Sequence, residues 1–143
     1  ATLRTIVSEI TERRNGRLWS WEGDGGIAAF TFDEQNQRAT LSAMEIINEV
    51  FVYNLTDCPL DEGLHVRATV HNGPCEYSES GSELTSDTVK RVWDVDSRHG
   101  ITDALIVTDS VFSSLERIVA ESLRPLTVAA DRTLYTYSVR FAD

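Results

Sequence analysis

Leu3, Ile6, Val7 and Ile10 recur at the spacing of one helical face, so the chain is expected to open with an amphipathic helix. Asn15-Gly16 predicts its stop, with Gly16 in the left-handed cap position. Arg17 to Trp21 reads as a strand, with Trp19 and Trp21 on one side and Leu18 and Ser20 on the other. Gly26 to Phe32 is small and apolar on both faces, which predicts a strand buried on both sides. Between these runs, Glu22-Gly23-Asp24-Gly25-Gly26 predicts a tight hairpin tip, because glycine takes positive φ without steric cost. Asp24 is then either a turn former or a carboxylate presented at a working site.

Asp33 to Gln37 is polar and turns the chain. Ala39, Ala43, Ile46, Ile47, Val50, Phe51 and Asn54 follow helical spacing for about four turns, and Pro59 closes that helix. Leu64, Val66, Ala68 and Val70 alternate with polar residues, a half-buried strand ended by Asn72-Gly73-Pro74. Ser78 to Glu83 reads as a loop, and Thr85, Ser86 and Asp87 are candidate caps for a short helix carrying Val89, Val92 and Trp93. Ala104 to Val107 predicts a compact strand. A helix with Val111, Phe112, Leu115, Ile118 and Val119 follows, capped by Thr108 or Asp109. Leu126 to Ala130 and Leu134 to Phe141 predict two closing strands joined at Asp131-Arg132. Hairpins and helices in this mixed order predict an α+β fold, a mainly antiparallel mixed sheet covered by helices.

A length of 143 residues fits one domain over 1–143 with a core of its own. The net charge of -10 argues against nucleic-acid binding, which wants a basic face. It leaves room for a small anion held by backbone amides and a metal ion. No run reaches the roughly 20 apolar residues of a membrane span, and Thr2 to Arg14 has no signal-peptide character. Cys58 and Cys75 lack metal-ligand spacing and read as free thiols in a reducing, cytoplasmic compartment. Asn54-Leu55-Thr56 matches a glycosylation acceptor but falls at a helix end, where it is discounted.

Gly23-Asp24-Gly25-Gly26-Ile27-Ala28-Ala29-Phe30 resembles the central hairpin of class III nucleotidyl cyclases, a motif near G-D-G-x-x-A-x-F. The resemblance runs in order from about Leu3 to Phe141. It takes in the lead-in helix with Asn15-Gly16, the strand Leu64 to Pro74, the helix opening Ser86-Asp87-Thr88-Val89, and the strand and helix of Ile101 to Leu115. It implies a ferredoxin-like or palm-like cyclase-type sheet. Two carboxylates would hold two divalent cations, Mg2+ or Mn2+, over a nucleoside triphosphate. Asp24 matches the hairpin carboxylate, with Gly23 and Gly25 shaping the tip for the nucleotide. The family's other carboxylate lies on a strand before the first helix, and that strand is expected to be absent here or to belong to a longer parent.

Other positions depart from the family. Its base-reading Lys falls at Ser20, its transition-state Asn at Lys90 and its transition-state Arg at Asp94, with the second base-reading position near Glu83. Lys90 keeps a donor able to reach a phosphate, whereas Asp94 inverts the charge where negative charge would develop. The resemblance therefore implies a degenerate cyclase-homology domain, inactive alone, acting as a homodimer or with a related cyclase-type partner, with residual binding of metal and nucleotide. Two alternatives stand beside it: part of an active purine nucleotide cyclase whose first strand lies elsewhere, and a purely structural interaction domain.

Three further groupings carry weaker chemistry. Asp94, Asp96 and Asp103 with His99 read as a metal site or as a solvated helix end, the second being favoured. His65 and His71 lie six apart on a strand and read as surface histidines. Trp19 and Trp21 read as packing or interface aromatics before base-stacking ones.

Overall fold

The computed structural model describes residues 2–31, 33–56, 63–74, 76–77, 84–129 and 132–139. Helix α1, Thr2–Arg13, buries Leu3, Ile10 and Thr11, the stripe its spacing predicts. Its C-terminal turn is closed by the Asn15 amide to the Glu12 carbonyl at 3.0 Å and the Gly16 amide to the Thr11 carbonyl at 2.9 Å. The left-handed residue there is Asn15, at φ 62°, and not Gly16. Gly16 serves a different purpose: a Cβ on it would come within 2.4 Å of the Phe30 ring. A side chain at that position would have to displace the Phe30 ring.

Strands β1, Arg17–Glu22, and β2, Gly25–Ala29, form that antiparallel hairpin. Its register shifts between Leu18 and Ser20, leaving Trp19 as the extra residue. The bulge breaks the simple alternation expected for this strand, so Leu18 and Trp19 are both half-buried. Arg17 places its guanidinium 4.0 Å over the Trp19 ring. In β2 exposure alternates, with Gly26 and Ala28 open to solvent, so the strand buried on both sides is not what forms. The reason is topological: β2 pairs only with β1, in a two-stranded sheet of its own.

Helix α2, Gln35–Thr56, is longer than its apolar spacing marks and buries Thr40, Ser42, Ala43, Met44, Ile46, Ile47 and Val50. The expected stop at Pro59 lies outside the described residues. The Asn54 side chain instead ties the helix end down, donating to the Leu64 carbonyl and accepting from the Leu64 amide, both at 2.7 Å. Strand β3 is shorter than expected, Ala68–Val70, with Gly63 to Arg67 leading into it without strand pairing. Short strands β4, Glu76–Tyr77, and β5, Leu84–Thr85, pair antiparallel across the predicted loop, whose residues lie outside the described ones. Helix α3, Asp87–His99, takes Ser86 as its N-cap, its hydroxyl accepting from the Val89 amide at 3.2 Å.

Strand β6, Leu105–Thr108, is buried along its whole length. The single helix expected after it divides into α4, Asp109–Phe112, and α5, Arg117–Ala120. Ser113, Ser114 and Leu115 carry tight turns instead, and the Glu116 amide donates to Gln37 Oε1 at 3.1 Å. Strands β7, Arg124–Ala129, and β8, Arg132–Tyr137, complete a four-stranded mixed sheet in the order β3-β6-β8-β7. In it β3 runs parallel to β6, and the other pairs are antiparallel.

One face of this sheet meets α2, α4 and α5 around Ala43, Met44, Ile47, Leu105, Val107, Val111, Val119 and Leu123. The other meets α3 through Val95, Ile106 and Leu134. Helix α1 packs on α2 and on β1, and α2 packs on β3 and β6, so one helical layer covers both sheets. The architecture is α+β, as the pattern of elements predicts. None of the described helices is long and apolar enough to cross a membrane.

Candidate functional site

The hairpin tip is held from below. Arg38 on α2 donates to the carbonyls of Arg14 at 2.8 Å and Asp33 at 3.0 Å, and also to that of Thr31. These three carbonyls close α1, follow β2 and precede α2, so one guanidinium fixes both the entry and the exit of the hairpin. Glu45 adds a second tie, pairing with Arg14 at 2.6 Å and Arg13 at 2.8 Å. Neither arrangement is foreshadowed by a motif, because an arginine near a helix start carries no sign of which carbonyls it will find.

At the tip, Gly23 takes φ 60° at the first of the two turn positions and Asp24 follows without a positive φ. Glycine first is the order a type II′ hairpin requires. Trp21 Nε1 donates to the Gly23 carbonyl at 2.8 Å and stiffens the turn. The opposite strand adapts to that indole: a Cβ on Gly26 would lie 2.8 Å from the Trp21 ring and 2.1 Å from the Ser20 carbonyl. Asp24 is exposed, and among the described residues its carboxylate has no hydrogen-bond or ion-pair partner. It is thus an exposed carboxylate on a hairpin turn, unpaired among the described residues. Gly25 starts β2 and has open space around it.

Ser20 is exposed on β1, beside the bulge. Lys90 is exposed in the first turn of α3, its amide bonded to the Ser86 carbonyl at 3.2 Å. Asp94, one turn further along, is paired with Arg98 Nε at 2.8 Å. No hydrogen bond or ion pair joins the tip to Lys90 or Asp94 among the described residues. Glu83 lies outside the described residues. Two open grooves, of about 410 Å³ beside Ile6 and Tyr53 and about 450 Å³ beside Asn36 and Glu116, include neither Asp24 nor Lys90.

The carboxylates gathered after Trp93 are each committed elsewhere. Asp96 accepts from Arg67 Nε at 3.1 Å and from the Thr69 hydroxyl at 2.9 Å. Asp103, at φ 64°, meets His65 Nδ1 at 2.9 Å and the Val66 amide at 3.3 Å. These contacts lock α3 and its following turn onto β3. Among the described residues no three metal-ligating side chains come together. Asp24 could supply one carboxylate to a divalent cation, but these residues do not complete a two-metal site, so no catalytic step follows from them.

His65 is exposed, but His71 is not the surface residue expected. It is half-buried, with Nδ1 2.8 Å from Thr108 Oγ1. Burial, and then the positive charge of Arg91, hold its pKa below the usual histidine value. Thr108 Oγ1 lies 3.3 Å from Ser110 Oγ, which donates to Asn72 Oδ1 at 2.7 Å. Asn72 in turn donates to Asn36 at 3.2 Å. This chain of polar groups joins the ends of the parallel strands β3 and β6 to the start of α2. The sequence marks His71 as a surface histidine, Asn72 as a strand end and Thr108 as a helix cap, and nothing in it joins them.

No protein-family model and no curated protein matches the chain. Its fold does match solved structures. The catalytic core of a rhodopsin-guanylyl cyclase with converted specificity, in complex with ATPαS, is similar at a TM-score of 0.71 and 16% identity, over 96% of this chain and 78% of that one. The adenylate/guanylate cyclase/hydrolase from Silicibacter pomeroyi is similar at 0.66 and 18%, over 94% and 79%. The non-canonical dimeric guanylyl cyclase domain of the RhoGC fusion protein from the aquatic fungus Blastocladiella emersonii is similar at 0.67 and 16%, over 95% and 78%.

Proposed function

On a fold of the class III nucleotidyl cyclase type, we propose that this chain is a degenerate cyclase-like domain of nucleotide signalling. It makes no cyclic nucleotide alone and works by associating with a second copy or with a related cyclase-type partner. The observation that carries this reading is the contrast between Asp24 and the positions around it. The hairpin carboxylate stands exposed and unpaired on a turn built to hold it. Phosphoryl transfer gains most from positive charge placed where negative charge develops. Here the position matching the transition-state arginine is Asp94, a carboxylate already neutralised by Arg98, and the base-reading position is Ser20, which offers only a hydroxyl. On this reading the hairpin carboxylate and the Lys90 donor would still serve binding, while the charge that an arginine would place at Asp94 is lost.

Asp24, with the turn amides around Gly23 and Gly25, would hold Mg2+ or Mn2+ with a nucleoside triphosphate weakly, and Lys90 would reach a phosphate. The ATPαS complex and the dimeric domain among the similar structures support this ligand class and this mode of assembly. The spacing of Cys58 and Cys75 supports a reducing, cytoplasmic setting.

A second reading is favoured by the division of the strands. The hairpin forms a sheet apart from β3-β6-β8-β7, as it would if a strand bearing the second carboxylate came from outside the described residues. The chain would then be part of an active cyclase. Thermal shift with Mn2+ and ATP or GTP tests the leading reading. A stabilisation of the wild type that Asp24→Ala abolishes supports it. No shift in either protein leaves a structural domain. Cyclic nucleotide formed by the chain alone sinks the claim of inactivity.

A further inference from the structure

Beside the end of β3 the structure leaves one cation without a partner. Arg91 on α3 is half-buried, and among the described residues it takes part in no hydrogen bond or ion pair. The carboxylates of its own helix are spent elsewhere or out of reach. Asp94 pairs with Arg98, Asp96 accepts from Arg67 and Thr69, and Asp87, one turn earlier, makes no ion pair with Arg91. This happens in a chain with 23 acidic side chains against 13 Lys and Arg, where carboxylate partners are abundant. Helix α3 is pinned over the strand end at its first turn. Thr88 Oγ1 donates to the Pro74 carbonyl at 2.7 Å, and a Cβ on Gly73 would lie 2.4 Å from the same oxygen. Arg91 follows Thr88 by three residues, on the same side of α3, toward the strand end that carries His71.

The polar chain running from His71 assigns its protons. Asn72 Nδ2 donates to Asn36 Oδ1 at 3.2 Å and to the Ser110 carbonyl at 3.3 Å, which turns Asn72 Oδ1 toward the Ser110 hydroxyl. Ser110 donates to that oxygen at 2.7 Å, so the 3.3 Å contact between Ser110 and Thr108 is filled by the Thr108 proton. Thr108 then has only an acceptor for His71, whose Nδ1, 2.8 Å away, carries the hydrogen. Nε2 is left as the open acceptor of a neutral ring, with no described partner. The Arg91 charge is near enough to oppose a second proton on that ring. The other groups bonded into this chain are uncharged, and Asp109 meets the Tyr135 hydroxyl instead at 3.3 Å.

We propose that Arg91 and His71 together hold a doubly charged tetrahedral oxyanion, a phosphate or sulfate group. With the site empty, the guanidinium keeps the imidazole neutral. With the anion seated, Nε2 takes up a proton and donates to it, and the guanidinium fork supplies the other donors. Two positive charges then match a dianion, whereas a carboxylate would leave one of them unmatched. Anion binding and proton uptake are therefore coupled, and each strengthens the other. The inference rests on the junction of β3 and α3 and is separate from Asp24 and the hairpin.

An NMR pH titration of the His71 ring in the whole chain, in sodium sulfate and in sodium chloride of matched ionic strength, tests it. Sulfate stays a dianion throughout the range, so the ring alone reports the proton. Sulfate should raise the His71 midpoint by about one pH unit over chloride, a tenfold gain in proton affinity. The rings of His65 and His99 should not follow. Arg91→Gln should raise the midpoint without sulfate and erase the response to it, because the opposing charge and the anion's main donor are lost together. Asp24→Ala should respond as wild type does, so a failure here and a failure of the nucleotide reading are told apart. ATP without metal identifies the source: if it acts as sulfate does, the group is a nucleotide phosphate, and if it does not, the site takes the free ion. A His71 midpoint indifferent to sulfate in wild type overturns the proposal, whatever the fate of the variants. So does an equal movement of all 3 histidines, or a sulfate response that survives in Arg91→Gln.

Discussion

Arg38, near the start of α2, donates to the backbone carbonyl of Arg14 at the end of α1, 2.8 Å away. Through that bond and its contacts to Thr31 and Asp33, one side chain ties the base of the β1–β2 hairpin to the start of α2. Hydrogen bonds from a charged donor contribute about 1.5–3 kcal/mol each, discounted here by partial exposure. Arg38→Ala should cost about 2 kcal/mol in urea unfolding. It should also speed amide exchange in β1 and β2 more than in β6. Equal loosening of both sheets would mean that Arg38 supports the whole fold and not the hairpin.

Little of this support was legible beforehand. The stripe Leu3, Ile6, Val7, Ile10 announced α1, because burial on one face leaves a periodic trace. Arg38 left none, since its partners are backbone carbonyls that exist in every sequence. Gly16 looked like the helix cap, yet Asn15 takes the left-handed position and Gly16 yields space to Phe30. Glycine at a helix end meets either need, and only the packing distinguishes them. The apolar run of β2 predicts a strand buried on both faces. Composition shows what a strand tolerates on its two faces, and pairing decides what covers them. The hairpin carboxylate was legible through its glycines, whereas its isolation from every described partner was not.

His71 gives the fold a pH dependence. Its pKa is lowered by burial, with Arg91 adding to the effect. Below the ordinary value of about 6.5, the unfolded chain takes up a proton that the folded chain resists. Stability should therefore fall as the pH drops from about 6.5 toward the lowered folded value, by at most about 1.4 kcal/mol per pH unit. His71→Gln should flatten that slope in denaturant titrations between pH 7 and pH 5. A slope unchanged in the variant would assign it to other groups.

Thr136 on β8 pairs with Ile106 across the sheet, and its hydroxyl is buried without a described partner. A buried hydroxyl that makes no hydrogen bond costs about 1–3 kcal/mol on mutational scales. Thr136→Val keeps the shape and removes that cost, so unfolding should shift toward greater stability by about 1 kcal/mol. A loss of stability would show that the hydroxyl is satisfied.

Asp24 contributes nothing to packing, since it is exposed and unpaired. Asp24→Ala should leave the unfolding free energy within about 0.5 kcal/mol of wild type, as surface substitutions do. A larger loss in chemical denaturation would make the residue a turn former first and a ligand second.

Association is the central claim, and sedimentation equilibrium at micromolar concentration tests it most directly. For a chain of 16.0 kDa, the account predicts a mass that climbs toward twice that value as concentration rises. A mass that stays at the monomer value, with the chain alone and with Mn2+ and nucleotide added, would contradict self-association and leave only a different cyclase-type chain as partner.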